Sequence, residues 1–425
     1  MKTSCLIGGL LIATFTSSTC QAQLLNASEG DWPWWRGPNF NGVAEAGQQA
    51  PVAWSETKNV AWKATVPGRG HSSPTVVGNR ILLATADDQA QVQSVVCFDR
   101  KTGKQLWNRD VNRGSFPSQI QRKNTHASCT IACDGARLFA VFYHHDRIEI
   151  VALDLSGDIA WRRIAGEFEP RKYKNGYAAS PLLFGDFVIV AADHEGAGFL
   201  AAFDRTTGKP VWKTLRPSLS SYASPIVARV AGRDQLLISG CELVASYNPG
   251  NGRLLWKTTA TTMQAAGTMV WDGDLVFASG GFPEPETVSV RADGSGEIVW
   301  RNSQKLFEQS MLVHEGHVYA INDNGIAICW EARTGAQRWR KRLQGPISAS
   351  PILSDGKIYL SNELGTTWVY RASPEQFGLI AENQLGSEAF ATPTICGGQI
   401  FLRVADVVGD RRQETLYCIQ TPGAQ

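Results

Sequence analysis

Two stretches of the sequence concentrate side chains that could bind a charged ligand. Residues 113–126 are long and basic and end in a histidine, and residues 169–177 carry three cations. Guanidinium and ammonium groups bind anions, while aromatic rings offer flat faces to sugars. The pattern therefore predicts a site for an anionic or polyhydroxyl ligand, against the alternative of ordinary charged surface loops. The predicted ligand-binding residues are His71, Arg122, Lys123, His126, Arg171, Lys174, Tyr177, Asp193, His194 and Tyr222.

The sequence contains no recognisable catalytic or metal-binding motif. It has no phosphate-binding loop, no Gly-x-Gly-x-x-Gly segment and no His-Glu-x-x-His segment. His144 and His145, together with Asp193 and His194, offer nitrogen and oxygen atoms to a metal ion. Adjacent strand residues point to opposite faces of a sheet, so at most one of the two neighbouring histidines can serve one site. We therefore predict no catalytic residues and no metal ligands.

The candidate side chains lie between repeated units that end in a tryptophan. In residues 204–212, an Asp, a Thr and a Gly form a tight turn, and the tryptophan follows the glycine by four residues. From Trp107 onward, successive unit tryptophans are 54, 51, 44, 44 and 39 residues apart, which is typical of propeller blades. We predict that these tryptophans are structural and dock one blade onto the next. They are Trp62, Trp107, Trp161, Trp212, Trp256, Trp300 and Trp339.

A second marker sets the number of blades at eight. Each unit opens with Ser-Pro or a related pair, followed by a short apolar strand, a glycine turn and a second apolar strand. The last unit stops before any tryptophan strand, whereas residues 59–64 have the form of such a strand and precede the first unit. We predict an all-β, eight-bladed β-propeller in which the N-terminal strand completes blade eight and closes the ring. The opening pairs begin at Ser73, Ser128, Ser180, Ser224, Gly267, Ser310, Ser350 and Thr392.

The 425 residues divide into four segments. Residues 1–22 have a basic start, a short apolar run and a small-residue cleavage site, so we predict a cleaved signal peptide. A lipid anchor at Cys20 is the less favoured alternative, and no segment is expected to cross a membrane. Residues 23–58 form a Trp- and Pro-rich extension, which either straps the ring or presents indoles to a carbohydrate. The propeller takes residues 59–420, residues 421–425 form a tail, and the protein is expected in the periplasm or outside the cell.

Charge and cysteine content exclude several classes of protein. A net charge of +2 provides no general attraction for nucleic acid or for an anionic membrane. Two of the nine cysteines lie in the signal segment, and the odd number that remains argues against a disulfide scaffold. Cys97, Cys329 and Cys418 occupy one position of the repeat, which other units fill with alanine or serine, and this predicts small buried packing sites. We expect a monomer.

The repeated Asp-x-x-Thr-Gly-x-x-x-Trp units resemble the tryptophan-docking repeats of pyrroloquinoline-quinone-type propellers. Residues 99–107, 204–212 and 331–339 match the pattern most closely, and the resemblance spans residues 59–420. The leader residues 34–38, Trp-Trp-Arg-Gly-Pro, are also similar to those of exported bacterial members of this repeat family.

The resemblance implies two different functions. One branch, the quinoprotein alcohol dehydrogenases, implies pyrroloquinoline quinone, a calcium ion and a catalytic aspartate, but this chain lacks the vicinal cysteine pair of that branch. The other branch includes the propeller lipoprotein of the outer-membrane barrel-assembly machine, which is of similar size and implies a protein-binding scaffold. We predict a non-catalytic scaffold that binds a cell-envelope protein and needs no cofactor. A quinone- and calcium-dependent dehydrogenase and a polysaccharide-binding module are the alternatives.

Overall fold

The fold consists of eight four-stranded antiparallel sheets arranged as blades around a central axis. A computed structural model of the chain describes Ser28, residues 30–409 and residues 411–423. These residues form 32 strands in eight sheets, which confirms the predicted eight-bladed β-propeller. The predicted signal peptide and Cys20 lie outside the described residues. Within the described residues there is no helix long and apolar enough to cross a membrane.

The first strand, β1 (Val60–Val66), precedes the first complete blade. Each of the next seven blades takes four consecutive strands, from a short inner strand at the axis to an outer strand at the rim. Blades one and two contain β2 (Thr75–Val77), β3 (Arg80–Asp87), β4 (Val92–Asp99), β5 (Gln105–Arg113), β6 (Ala132–Cys133), β7 (Arg137–His144), β8 (Arg147–Asp154) and β9 (Ile159–Glu167). Blades three and four contain β10 (Leu182–Phe184), β11 (Phe187–Ala192), β12 (Phe199–Asp204), β13 (Pro210–Leu215), β14 (Ile226–Val230), β15 (Arg233–Gly240), β16 (Leu243–Tyr247) and β17 (Leu254–Thr259).

The second half of the ring repeats this arrangement. Blades five and six contain β18 (Val270–Asp272), β19 (Leu275–Gly280), β20 (Glu286–Arg291), β21 (Ile298–Asn302), β22 (Leu312–His314), β23 (His317–Ile321), β24 (Ile326–Glu331) and β25 (Gln337–Arg342). Blade seven contains β26 (Ile352–Ser354), β27 (Lys357–Ser361), β28 (Thr366–Arg371) and β29 (Leu379–Gln384). Blade eight contains β30 (Thr394–Cys396), β31 (Gln399–Val408) and β32 (Arg411–Ile419).

The N-terminal strand supplies the fourth strand of blade eight. Strand β1 pairs antiparallel with β32, from Val60 opposite Ile419 to Val66 opposite Glu414. The backbone N–H of Gln420 also donates to the carbonyl of Asn59 at 2.8 Å. The two ends of the propeller are therefore joined in one sheet, and the ring is closed as the sequence predicts.

The predicted docking tryptophans connect neighbouring blades at the rim. The indole N–H of Trp161 on β9 donates to the carbonyl of Arg205 in the next blade at 3.1 Å. Gly208, in the same turn, has a φ of +68°, and a Cβ there would lie 2.7 Å from the Trp161 ring. The turn glycine therefore provides both a positive φ and room for the indole. The same bond to the next blade is made by Trp62, Trp107, Trp212, Trp300 and Trp339.

Trp256 differs from the other docking tryptophans in its hydrogen bond. Its indole N–H donates to the side chain of Gln235 in its own blade at 2.7 Å. The Gln235 side-chain nitrogen then donates to the carbonyl of Ala292 in blade five at 2.8 Å. The contact between blades four and five is thus made through a glutamine, while Trp256 remains buried in the interface.

The small repeat position lies opposite the docking tryptophan on the neighbouring strand. Cys97, Cys329 and Cys418 pair with Trp107, Trp339 and Trp62, respectively. All three cysteines are buried and free, as a packing role requires. Burial raises the pKa of the Cys97 thiol to about 12, so the group stays protonated at neutral pH.

The Trp-rich extension covers the base of the ring. Trp32 forms a two-way backbone bridge with Val76 of blade one, and Ala44 donates to the carbonyl of Leu353 in blade seven. Trp54 packs on Tyr359 of blade seven, the blade that lacks a docking tryptophan, with ring centroids 6.5 Å apart. Trp32, Trp34 and Trp54 are each at most 4% exposed, so these indoles act as packing groups and not as an open carbohydrate platform.

Candidate binding site at the ring axis

A ring of side-chain hydroxyls surrounds the axis, with one from each blade. The backbone N–H of Ser180 donates to the hydroxyl of Ser224 in the next blade at 2.9 Å, and the same link joins seven of the eight neighbouring pairs. In blade two the ring residue is Thr130, two residues beyond the Ser128 at which the sequence pattern began that unit. The ring consists of Ser73, Thr130, Ser180, Ser224, Thr268, Ser310, Ser350 and Thr392.

The leader, residues 34–38 of the Trp-rich extension, closes the base of this ring. The indole N–H of Trp35 donates to the Thr268 hydroxyl at 2.8 Å, so this ring residue bonds to the leader. The next residue, Arg36, is 1% exposed, and its guanidinium donates to the carbonyls of Met311 at 2.6 Å and Pro351 at 2.9 Å. Burial lowers the pKa of Arg36 to about 9, which still leaves it charged at neutral pH. The leader is therefore bonded to blades five, six and seven at the axis.

The loops that enter blades two and three cross the opposite, open end of the axis. Lys123 extends from blade two to Glu363 of blade seven, with 2.7 Å between Nζ and Oε1. Asn124 donates from its side chain to the carbonyl of Asn175 in the blade-three loop at 2.7 Å. Asn175 in turn donates to the hydroxyl of Tyr222 at 3.0 Å. These bonds hold the two loops, residues 113–126 and 169–177, over the axis. There they narrow the opening of the central channel, which we call its mouth.

A cavity of about 200 Å³ lies between the leader and these loops. Five of the ring hydroxyls line it, together with side chains from the loops that enter the blades. Aromatic groups form much of the remaining wall, with Trp35 from the leader, Phe307 from blade six and Phe390 from blade eight. A concave site that combines aromatic walls with a few convergent polar groups is the usual form of a small-molecule site.

In the described part of the chain, the cavity wall carries one cation and one carboxylate, and the cation is paired with a second carboxylate outside the wall. Of the described residues that line it, Lys123 and Glu308 have charged side chains. Lys123 is already paired with Glu363, a carboxylate that is 7% exposed and also accepts from the Ser348 hydroxyl at 2.7 Å. Burial raises the pKa of Glu308, while the Ser348 hydroxyl and the Lys123 ammonium oppose that shift. One ammonium therefore faces two carboxylates.

His71 lines the same cavity without adding a charge. Its ring stacks on Phe390 at 4.4 Å between centroids. Burial, with Arg69 and Arg403 nearby, lowers the pKa of His71 well below its usual range. The imidazole is therefore neutral at physiological pH and serves as an aromatic wall with a polar edge.

The structure places the ten predicted ligand-binding residues in four different environments. The His126 ring packs against Phe116 beside the mouth, with 4.2 Å between ring centroids. Tyr177 is buried below it, and its hydroxyl donates to the carbonyl of Ala191 at 2.8 Å. The residues that line the cavity are His71, Lys123 and Tyr222. The residues exposed on the outer surface of the loops are Arg122, Arg171 and Lys174.

Asp193 and His194 contribute to the packing of blade three. Both side chains are at most 4% exposed. Asp193 forms a two-bond ion pair with Arg216, at 2.6 and 3.0 Å, and that arginine is itself buried. His194 accepts backbone N–H bonds from Glu169 and Gly196 at its Nδ1 atom, at 3.2 and 3.1 Å. These two residues therefore hold the blade-three loop in place and do not line the cavity.

The sequence pattern does not identify several of the residues that line the cavity. Trp35 lies in the leader, and Glu308, Ser348 and Phe390 lie in loops that carry no excess of charge or histidine. The sequence does place the last three in segments that enter blades, which all reach the same face. The position of a residue just before the axial hydroxyl was thus a better signal than the local density of cations.

The lining does not fit pyrroloquinoline quinone, a planar polycarboxylate. The cation at the cavity, Lys123, is already paired with Glu363, and Glu308 would repel further carboxylates. A calcium ion needs several oxygen ligands, yet the described residues contain no group of three or more His, Cys, Asp or Glu side chains suited to hold a metal ion. We therefore assign no reaction step to this cofactor.

Comparisons with known proteins agree with the repeat pattern. The family model for the outer membrane protein assembly factor BamB matches residues 91–283 and 284–373. BamB of Moranella endobia is 21% identical over 347 residues, which covers 78% of this chain and 82% of that protein. The match thus extends across most blades of the ring.

Solved structures with the same fold include two different kinds of protein. BamB from Moraxella catarrhalis is 14% identical, with a TM-score of 0.61, and covers 84% of this chain and 99% of that one. A europium-containing methanol dehydrogenase is 12% identical, with a TM-score of 0.66, and covers 93% and 98% of the two chains. At these identities the structural likeness shows the propeller fold alone.

Proposed function

The chain belongs to the family of the outer membrane protein assembly factor BamB, and on that premise we propose that it is a non-catalytic scaffold that binds a protein partner in the cell envelope. The predicted signal peptide supports export to the periplasm, where a lipid anchor at Cys20 would be one means of attachment. The relatives are named as assembly factors for outer-membrane proteins. The proposed partner is therefore an envelope protein.

The observation that carries this proposal is the protruding hairpin of blade eight, which has an open strand edge and two exposed valines. At the tip of this hairpin, Val407 is 40% exposed to solvent and Val408 is 77% exposed. Residues 406–408 of β31 pair with residues 411–413 of β32, but β1 stops opposite Glu414, so the first three residues of β32 have no β1 partner on their outer side. The hairpin thus extends beyond the four-stranded part of the blade.

The same face carries further exposed apolar groups. Phe282 in blade five is 39% exposed and Leu364 in blade seven is 53% exposed, and both lie in loops between the second and third strands. That loop type shares a face with the loops that enter each blade, as the bridges Gln264–Phe282 and Glu388–Ala405 show. A face with an open strand edge and scattered apolar groups suits an extended protein segment, which can add to the edge as a further strand.

Site-specific photo-cross-linking tests this function in intact cells. A photoreactive amino acid at Val408 should capture an envelope protein, whereas the same group at Thr206, an exposed turn residue on the opposite face, should not. The captured protein would be identified by mass spectrometry, and Val407→Ser with Val408→Ser should reduce its co-purification with the scaffold by at least tenfold. Equal capture from both positions, or no envelope protein from Val408, would reject the proposal.

A further inference from the structure

The axial cavity contains a carboxylate that forms no ion pair with any other residue in the described part of the chain. Glu308 lines the cavity, and burial raises its pKa, which indicates a poorly solvated group. The cation that lines the same cavity, Lys123, pairs with a second carboxylate, Glu363, at 2.7 Å. Lys123 is therefore already paired, and Glu308 is the lining carboxylate whose charge a cationic ligand would neutralise.

The cavity walls offer two further kinds of contact. Trp35, Phe307 and Phe390 provide aromatic surfaces, and the Trp35 ring is held in place by its bond to Thr268. Hydroxyls of Ser128, Ser348 and the axial ring provide groups that both donate and accept hydrogen bonds. Aromatic faces attract organic cations. Serine and threonine hydroxyls can donate hydrogen bonds to the hydroxyls of a ligand and accept hydrogen bonds from them.

From this combination we propose that the cavity binds a small organic ammonium ion that also bears hydroxyl groups. The ammonium pairs with the Glu308 carboxylate, the carbon skeleton packs on the aromatic walls, and the ligand hydroxyls bond to the serine and threonine side chains. This site is separate from the protein-binding hairpin, so the two proposals can fail independently.

The size of the cavity limits the ligand to about one monosaccharide unit. The free volume is about 200 Å³. An ordered water needs roughly 10–15 Å³ of such volume, so the space corresponds to a ligand of about a dozen heavy atoms. Glucosamine is a suitable probe because it has this size, a primary ammonium and several hydroxyls.

Calorimetric titration of the purified mature protein at pH 7 and low salt tests the charge requirement. Glucosamine should bind, whereas glucose and N-acetylglucosamine, which have the same ring without the ammonium charge, should bind at least tenfold more weakly. Glu308→Gln should weaken glucosamine binding at least tenfold and leave any glucose binding unchanged. Glu284→Gln, which removes the same charge from an exposed loop, is the matched control and should bind glucosamine as the wild type does.

Three outcomes would overturn the proposal. They are no heat of binding with millimolar glucosamine, equal affinity for glucosamine and glucose, and unchanged glucosamine affinity in Glu308→Gln. Tighter binding of gluconate than of glucosamine would also overturn it, because it would show that the cavity selects anions. Circular dichroism of each variant establishes that the fold is retained.

Discussion

Residues with the same ionisable group have very different roles in this protein, because the fold gives each of them different neighbours. Asp193 forms a two-bond ion pair with Arg216 inside blade three, whereas Glu308 lines the cavity and forms no ion pair among the described residues. Both carboxylates lie in or next to polar loops, and their neighbouring residues in the sequence do not show which of them forms an ion pair. Loss of Arg216 would leave the Asp193 charge buried without a partner, whereas loss of the Glu308 carboxylate would remove an unpaired charge.

His71 makes the stability of the ring depend on pH. Its pKa lies well below the usual value in the folded protein because burial and nearby arginines disfavour the imidazolium. The unfolded chain therefore binds a proton more readily, so stability falls as the pH drops below about 6.5. The contribution reaches at most about 1.4 kcal/mol per pH unit for one such group.

His71→Phe should remove this dependence while it keeps the stacking contact with Phe390. Urea unfolding at pH 7 and pH 5 is the measurement, with the pH-induced change in unfolding free energy compared between the two proteins. The wild type should lose more stability on acidification than the variant. An identical loss in both proteins would mean that His71 becomes protonated in the folded state as readily as in the unfolded chain.

At the scale of elements, the blade is the unit that local sequence determines. The turn aspartate, the turn glycine and the outer-strand tryptophan lie within about ten residues of one another, so their pattern could be read directly from the sequence. Blade seven shows the limit of this reading, because the packing partner of its Tyr359 is Trp54, about 300 residues away. An element that comes from a distant part of the chain has no local signature.

Loss of a buried docking tryptophan should destabilise the contact between two blades. Trp161 is 8% exposed, packs between blades two and three and donates to the Arg205 carbonyl. Trp161→Ala should reduce the free energy of unfolding by about 3–5 kcal/mol, because it leaves a cavity and an unpaired carbonyl. Chemical denaturation measures the change.

Trp212→Ala provides the comparison within the same repeat. Trp212 makes the equivalent bond to Pro249, but it is only partly buried, so the loss should be smaller than for Trp161. Trp161→Phe should recover more than half of the stability lost in Trp161→Ala. Equal unfolding midpoints for Trp161→Ala and the wild type would contradict a structural role for the tryptophan.

At the scale of the whole molecule, the ring could be predicted and the contents of its axis could not. The number of blades and the closing strand follow from a periodic pattern, and both agree with the sheet order. The cavity, by contrast, combines Trp35, Lys123, Glu308 and Phe390, which are separated by tens to hundreds of residues. Their proximity arises only when the ring closes. The two cation-rich loops, residues 113–126 and 169–177, contribute the cavity cation Lys123, whose charge is paired with Glu363.

Ring closure itself can be tested with two chains that both lack the whole Trp-rich extension, residues 23–58. The first chain runs from Pro67 to Gln420 and so has no β1. The second also begins at Pro67 but carries residues 59–66 after Gln420, joined through a short glycine turn. This connection is geometrically direct because the backbone of Gln420 already bonds to Asn59 and β1 runs antiparallel to β32. The two chains differ only in the closing strand and its turn.

The chain without β1 should self-associate and unfold more readily, because β32 then exposes a full strand edge and the apolar face of blade eight. The chain with the relocated strand should be a monomer with a higher unfolding midpoint. Light scattering after size-exclusion chromatography, followed by urea unfolding, separates the two outcomes. Similar mass and similar stability in both chains would mean that the closing strand contributes little to the ring, and that the remaining blade interfaces are sufficient to maintain it.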